Sequence, residues 1–316
     1  MLTPHMQGVL ERMARARQNG RVKPIHELTP AQAREAYEAG ANVLEVPKRE
    51  LPVVENFSFA ARNKTPIPVR LYVPHTDAVE NLLLFFHGGG FVVGSLNTHD
   101  ILCRELAHFS GCAVLAVDYR LAPEAAFPTA FEDAVDAMHW VLRREHPRLA
   151  QLKQLALGGD SAGGTLTAAC AMQARDEGID LALQLLIYPG CSPDQSENSH
   201  ERFATGHVIE GESIAWFFEH YLPDPQARFD WRFAPLMGDA HGLCPAFLAL
   251  AECDPLVDEG LVLADMLRME GVPVELELYK GVTHEFVKMG RMIPEALQFH
   301  RDAGAALRRA FGLETT

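Results

Sequence analysis

The chain has 316 residues, 48% of them hydrophobic and 22% charged, with a formal net charge of −14 at pH 7; that is enough for one large α/β domain with a lid, or for two small domains. The acidic balance argues against nucleic acid or an anionic membrane as the main partner, because those surfaces call for clustered Lys and Arg that displace counterions. No apolar stretch approaches the roughly 20 residues of a membrane span and none opens the chain as a signal peptide would, and the six cysteines lack C-x-x-C spacing, so the expectation is a cytoplasmic protein with free thiols, no integral membrane segment, no metal and no disulfide framework.

In chain order, residues 1–45 read as two helices. The first gathers Met6, Val9, Leu10 and Met13 on one face, with Arg12, Arg15 and Arg17 near that stripe. Such a helix either lies on a membrane surface or packs on the domain as part of a lid, and the acidic remainder of the chain favours the lid. Thr29-Pro30 opens the second helix as N-cap and first helical residue.

From about Glu80 short apolar runs alternate with helical stretches: a strand at Leu82 to Phe86, a helix near Asp100 to Ser110, a strand at Ala113 to Val117 and a helix near Phe131 to Arg144. Further strands are expected at Gln154 to Gly158, Leu183 to Tyr188, Ala246 to Ala251 and Val274 to Tyr279. Strand, helix, strand implies a mostly parallel sheet. Residues 191–235 break the rhythm with a polar loop and an aromatic helix around Trp216, Phe217 and Phe218. The expected organisation is therefore cap helices over 1–45, an α/β core over 46–190, a second cap segment over 191–235, and the rest of the core over 236–316.

Chemistry concentrates at the ends of these strands. Gly159-Asp160-Ser161-Ala162-Gly163 sits between a buried strand and a small-residue helix, the setting of a G-x-S-x-G turn that presents a nucleophilic serine. A serine hydroxyl is a weak nucleophile, so an imidazole must take its proton and a carboxylate must orient that imidazole. His284 is the one histidine of 14 on a Gly-containing loop after the final strand, whereas His300 reads as a residue on the surface of the last helix. Asp254 follows the strand ending at Ala251 directly and is the expected acid, with Asp258 and Glu252 as competitors. His87-Gly88-Gly89-Gly90 follows the first central strand, and its glycines let backbone N–H groups converge on an oxyanion; the expected donors are Gly88 and Gly89, joined by Ala162. Nucleotide binding is disfavoured, since neither G-x-x-x-x-G-K-[ST] nor G-x-G-x-x-G occurs.

Four motifs together resemble the hormone-sensitive-lipase-like family of bacterial esterases (bacterial family IV) within the α/β-hydrolase superfamily. They are His87-Gly88-Gly89-Gly90 with Phe91, Tyr119 to Glu124, Gly159 to Gly164, and Asp254 to Asp258 followed by His284-Glu285-Phe286. The resemblance implies an α/β-hydrolase fold with an eight-stranded sheet and a helical cap. It implies that His87 anchors the oxyanion loop, that Arg120 with Glu124 braces the neighbouring turn, and that Asp258 supports the loop bearing Asp254. Asp160 puts the chain on the branch with Asp rather than Glu before the nucleophile. The expected function is a serine carboxylesterase acting on small esters of short to medium acyl chain through an acyl-enzyme, without a cofactor. Its rivals are an amidase or peptidase with the same triad and a non-catalytic receptor on the same fold. Phe91, Val92, Val93, Trp216 and Phe217 are expected around the pocket, and the last strand offers an edge at which a homodimer would form.

Overall fold

Strands that are apolar at every position have to be covered on both faces, and they occupy the middle of the sheet. The computed structural model describes residues 1–313. After helices α1 (Pro4–Gln18) and α2 (Pro30–Gly40), the chain forms β1 (Val53–Ala60), β2 (Pro66–Val73), β3 (Asn81–Phe86), α3 (Asp100–Ser110), β4 (Ala113–Val117), α4 (Thr129–Leu142), β5 (Gln154–Asp160), α5 (Ala162–Asp176) and β6 (Gln184–Ile187). It continues through α6 (Asn198–Arg202), α7 (Gly211–Tyr221), β7 (Ala246–Ala251), α8 (Val257–Met269), β8 (Val274–Tyr279) and α9 (Pro294–Ala310). The strands form one eight-stranded sheet in the order β1-β2-β4-β3-β5-β6-β7-β8. β1/β2 and β2/β4 pair antiparallel and every other pair is parallel. Every residue of β4, β6 and β7 is buried. At one edge β8 alternates half-buried and exposed side chains over most of its length, the pattern of a strand with one covered face.

Because successive side chains point to opposite faces, each central strand feeds two cores. Leu82, Leu84 and Phe86 of β3 pack with residues of α4 and α5, while Leu83 and Phe85 pack with residues of α3 and α9. His300 belongs to the second layer. It is buried, and its ring Nε2–H donates to the Val287 carbonyl at 2.9 Å. The surface position expected for it is thus corrected: α9 lies across the sheet and turns that residue inward.

Residues 1–45 and 191–235, set apart by their sequence, contribute none of the eight strands. Thr29 caps α2 through a capping box with Gln32. In α1, Met6 and Val9 are buried in the core shared with α9 while Leu10 and Met13 pack at its margin, so the domain covers the stripe. Arg17 then pairs with Glu210 at 2.9 Å, joining α1 to the segment that leads into α7. All six cysteines are free, five of them buried. Among the described residues no helix is long and apolar enough to cross a membrane.

Candidate functional site

β5 runs directly into α5, and the residue between them is Ser161, at φ 54° and ψ −121°. A side chain rarely tolerates that backbone, and the neighbours impose it. Gly159 and Gly163 meet across the turn so closely that a Cβ on Gly159 would lie 2.3 Å from the Gly163 carbonyl oxygen, and a Cβ on Gly163 would lie 1.9 Å from that of Phe86. Only glycine permits this approach, and it holds the serine hydroxyl up at the end of the strand.

The loops after β7 and β8 meet that hydroxyl. Ser161 Oγ and His284 Nε2 are 2.9 Å apart, and His284 Nδ1 stands 2.7 Å from Asp254 Oδ2. Asp254 is fully buried and its other oxygen accepts the Leu256 N–H at 3.0 Å. Burial by itself would lower the His284 pKa, but the Asp254 carboxylate, with Glu285 and Asp160 adding to it, raises it above the usual histidine value. The competing acids are engaged elsewhere. Glu252 accepts the Gly281 N–H at 2.8 Å, and Asp258 accepts the Ser199 N–H at 2.9 Å while Ser199 Oγ donates to the Pro255 carbonyl at 2.6 Å. Asp258 therefore ties the loop bearing Asp254 to α6.

The glycine run departs from expectation. The Gly88 N–H donates to Asp160 Oδ1 at 2.9 Å, so it is not available to an oxyanion and is removed from the donor set. Gly89 (φ 121°) and Gly90 (φ 57°) follow in conformations open to glycine. Their N–H groups take no hydrogen bond among the described residues, and both line the cavity beside Ser161. Asp160 is buried with His99 Nε2 at 3.3 Å from its second oxygen. Burial would raise its pKa, but His99, with further help from Lys288 and His87, holds it down at about 2. His87 anchors the run: its Nδ1–H donates to the Gly88 carbonyl at 2.8 Å, its own carbonyl accepts the Tyr119 hydroxyl at 2.7 Å, and the two rings stack at 4.3 Å. Burial pushes the His87 pKa down to about 3, leaving a neutral ring. Arg120 and Glu124 take different partners: Arg120 grips Asp133 through Nε and Nη2, whereas Glu124 pairs with Arg34 of α2.

Two cavities open from Ser161. The larger, about 310 Å³, lies under α1 and α2 and has His284, Gly89, Gly90, Val93 and Phe217 in its wall; the smaller, about 50 Å³, is bounded by Phe91, Ala162, Phe217, Phe218 and Phe233. Phe217 divides them. Val92 and Trp216 line neither cavity, contrary to expectation. Val92 is fully buried and gives its carbonyl to Arg34 Nε, and Trp216 packs edge-on behind Phe217 at 5.3 Å. Among the described residues no three His, Cys, Asp or Glu side chains converge as metal ligands.

A polar group that the motifs did not announce lines the larger cavity. Tyr37 of α2 donates to Glu285 Oε1 at 2.5 Å and accepts from Lys288 Nζ at 2.7 Å, and Glu45 lines the same wall. Glu285 carries φ 62° directly after His284. The single signal for it was the charge beside the histidine in His284-Glu285-Phe286; Tyr37 and Glu45 lie too far away in sequence to be linked to it.

A family model described as alpha/beta hydrolase fold matches residues 83–288. The chain is 38% identical over 301 residues to a Pseudomonas putida protein named ethyl acetate hydrolase, covering 93% of this chain and 95% of that one. It is 35% identical over 291 residues to the carboxylesterase NlhH of Mycobacterium tuberculosis, covering 89% and 91% respectively. Among solved structures, an ester hydrolase from the metagenome of Lake Arreo, complexed with a bipyridine phosphonate derivative, superposes with a TM-score of 0.94 at 35% identity over 99% of this chain and all of that one. An esterase of Pyrobaculum calidifontis superposes at 0.90 with 32% identity over 99% of this chain and all of that one.

Proposed function

This chain belongs to the hormone-sensitive-lipase-like family of α/β-hydrolase-fold ester hydrolases, and on that footing we propose how its residues divide the hydrolysis of a carboxylic ester. Ser161 Oγ attacks the acyl carbon as its proton passes to His284 Nε2. Asp254 holds the imidazole in the tautomer that can accept that proton, and stabilises the imidazolium that results. The N–H groups of Gly89, Gly90 and Ala162 receive the negative oxygen of the tetrahedral intermediate. When the intermediate collapses, the carbon–oxygen bond to the alcohol breaks and His284 returns the proton to the departing oxygen. Water then gives a proton to His284 and attacks the acyl-serine; the acyl carbon–Oγ bond breaks, His284 passes the proton to Ser161 Oγ, and the carboxylic acid leaves.

The leaving oxygen has to lie where His284 can protonate it. His284 faces the larger cavity and not the smaller one, so the alcohol part occupies the larger space and the acyl part the pocket of about 50 Å³ behind Phe91 and Phe217. A short acyl chain suits that pocket, and the ethyl acetate hydrolase named above is in keeping with it.

The observation that carries this reading is the unbroken line Asp254, His284, Ser161 at 2.7 and 2.9 Å. Hydrolysis of p-nitrophenyl esters from acetate to palmitate tests it. The rate should peak at short acyl chains and fall by about 10⁴-fold or more in Ser161→Ala and His284→Ala, and by a comparable factor in Asp254→Asn. Wild-type levels in any of the three, or faster cleavage of a matched anilide than of the ester, would overturn it.

A further inference from the structure

The larger cavity contains a buried carboxylate without a partner. Glu45 is 3% exposed and forms part of the cavity wall, yet neither of its oxygens accepts a hydrogen bond among the described residues, and Oε1 is sealed from solvent. Buried polar groups in folded proteins are almost always paired, so an orphan beside an active-site cavity needs an explanation. Its position is held from behind: the Arg291 N–H donates to the Leu44 carbonyl at 3.0 Å and Arg291 Nε donates to the Glu45 carbonyl at 3.1 Å. The backbone is fastened on both sides of a side chain left free. Glu259, which borders the smaller cavity, shows the contrast. It accepts the N–H groups of Cys191 and Ser192 and lies 3.1 Å from His200 Nε2, so both of its oxygens already have partners.

We infer that Glu45 binds a hydroxyl group carried by the alcohol portion of the substrate, so that the preferred esters are monoesters of a diol or polyol. This inference rests on the assignment of the alcohol to the larger cavity. A hydroxyl fits better than either kind of ion. Arg17, Lys23 and Lys288 all line the cavity and would repel a cationic substituent, and an anion could pair with Glu45 only while its carboxyl is protonated, whereas a hydroxyl can pair with it in either state. Burial raises the Glu45 pKa to about 8, against the pull of Lys288, so near neutral pH its carboxyl can donate to a hydroxyl as well as accept from one. Apolar side chains in the lining of the same cavity, Val93 and Met289 among them, would cover the carbon chain that joins the hydroxyl to the ester.

The test compares ω-hydroxyalkyl acetates of two, four and six carbons with n-alkyl acetates of matched length, and reads the ratio of kcat/KM within each pair. The wild type should favour the hydroxylated ester by about tenfold at one length of the series. In Glu45→Leu that ratio should fall to near one, and Glu45→Gln, which keeps a hydrogen-bonding group, should retain part of it. A wild-type ratio near one at every length, or a preference unchanged in Glu45→Leu, would overturn the inference. Binding of the same pairs to Ser161→Ala, followed by calorimetry, gives a second readout independent of turnover. If no ester were cleaved, the esterase mechanism would fail, and the binding ratio would still decide for or against Glu45.

Discussion

Asp160→Asn separates the charge of the residue before the nucleophile from its shape. The buried carboxylate accepts the Gly88 N–H at 2.9 Å and lies 3.3 Å from His99 Nε2. Its pKa falls from 3.8 to about 2, and at about 1.4 kcal/mol per unit this means that the fold favours the ionised form by about 2 kcal/mol. A depressed carboxylate pKa contributes stability that is fully present above the unfolded value of 3.8 and is lost as pH falls through about 2. Asparagine keeps the shape and gives up the charge. Denaturant unfolding at a series of pH values should therefore show the variant less stable by about 2 kcal/mol at pH 7, with the gap closing towards pH 2 as the wild-type carboxyl takes up its proton. A neutral amide oxygen also holds the Gly88 N–H less firmly than a carboxylate does. The loop carrying Gly89 and Gly90 loosens as a result, and kcat should fall about tenfold with little change in KM. A gap that stayed constant with pH would show that the loss does not come from the carboxylate charge, and no gap at pH 7 would refute the electrostatic argument outright.

Two further consequences concern the chemistry. A Cβ on Gly90 would lie 2.2 Å from the Phe217 ring, at a φ of 57° that alanine resists; Gly90→Ala should lower kcat/KM about 100-fold, the cost of displacing one oxyanion donor. If the ring is the obstacle, adding Phe217→Ala should recover at least part of the loss, and no recovery would locate the damage in the backbone alone. His284 must be neutral to accept the serine proton, and its pKa is raised, so kcat/KM should fall on the acid side with a midpoint above the ordinary histidine value of 6.5. Glu285→Gln removes one of the charges that raise it and should move that midpoint down; a midpoint below 6.5 in the wild type would contradict the arrangement.

The order of elements and the triad were legible because each depends on a short-range signal. Apolar runs such as Leu82 to Phe86 mark strands buried on both faces, and the small residues around Ser161 mark a turn that only close approach explains. β1 and β2 gave no such signal. They lie at the antiparallel edge, where Pro66, Pro68 and the polar positions of β1 interrupt any apolar run, and only the family resemblance pointed to a sheet of eight. His300 misled for a different reason: its sequence neighbours Gln298, Arg301 and Asp302 are polar, but Ala296, Ala303 and Gly304, three and four residues away, share with it the face of α9 that is buried, and α9 packs on α3.

The glycine run shows where a motif stops being informative. His87-Gly88-Gly89-Gly90 announces convergent N–H groups but not which of them converge, because each direction depends on φ and ψ that glycine leaves open. The choice is made 72 residues away, by an Asp160 side chain that takes the Gly88 N–H and leaves Gly89 and Gly90 facing the cavity. The same holds for Glu45, Tyr37 and Lys288. They come from segments up to 251 residues apart, and only the packing of α2 and the segment after it against the loop after β8 gives them a shared cavity. Ser161, Asp254 and His284 can be found as motifs, whereas the residues around the larger cavity meet neighbours that they acquire only in the folded chain.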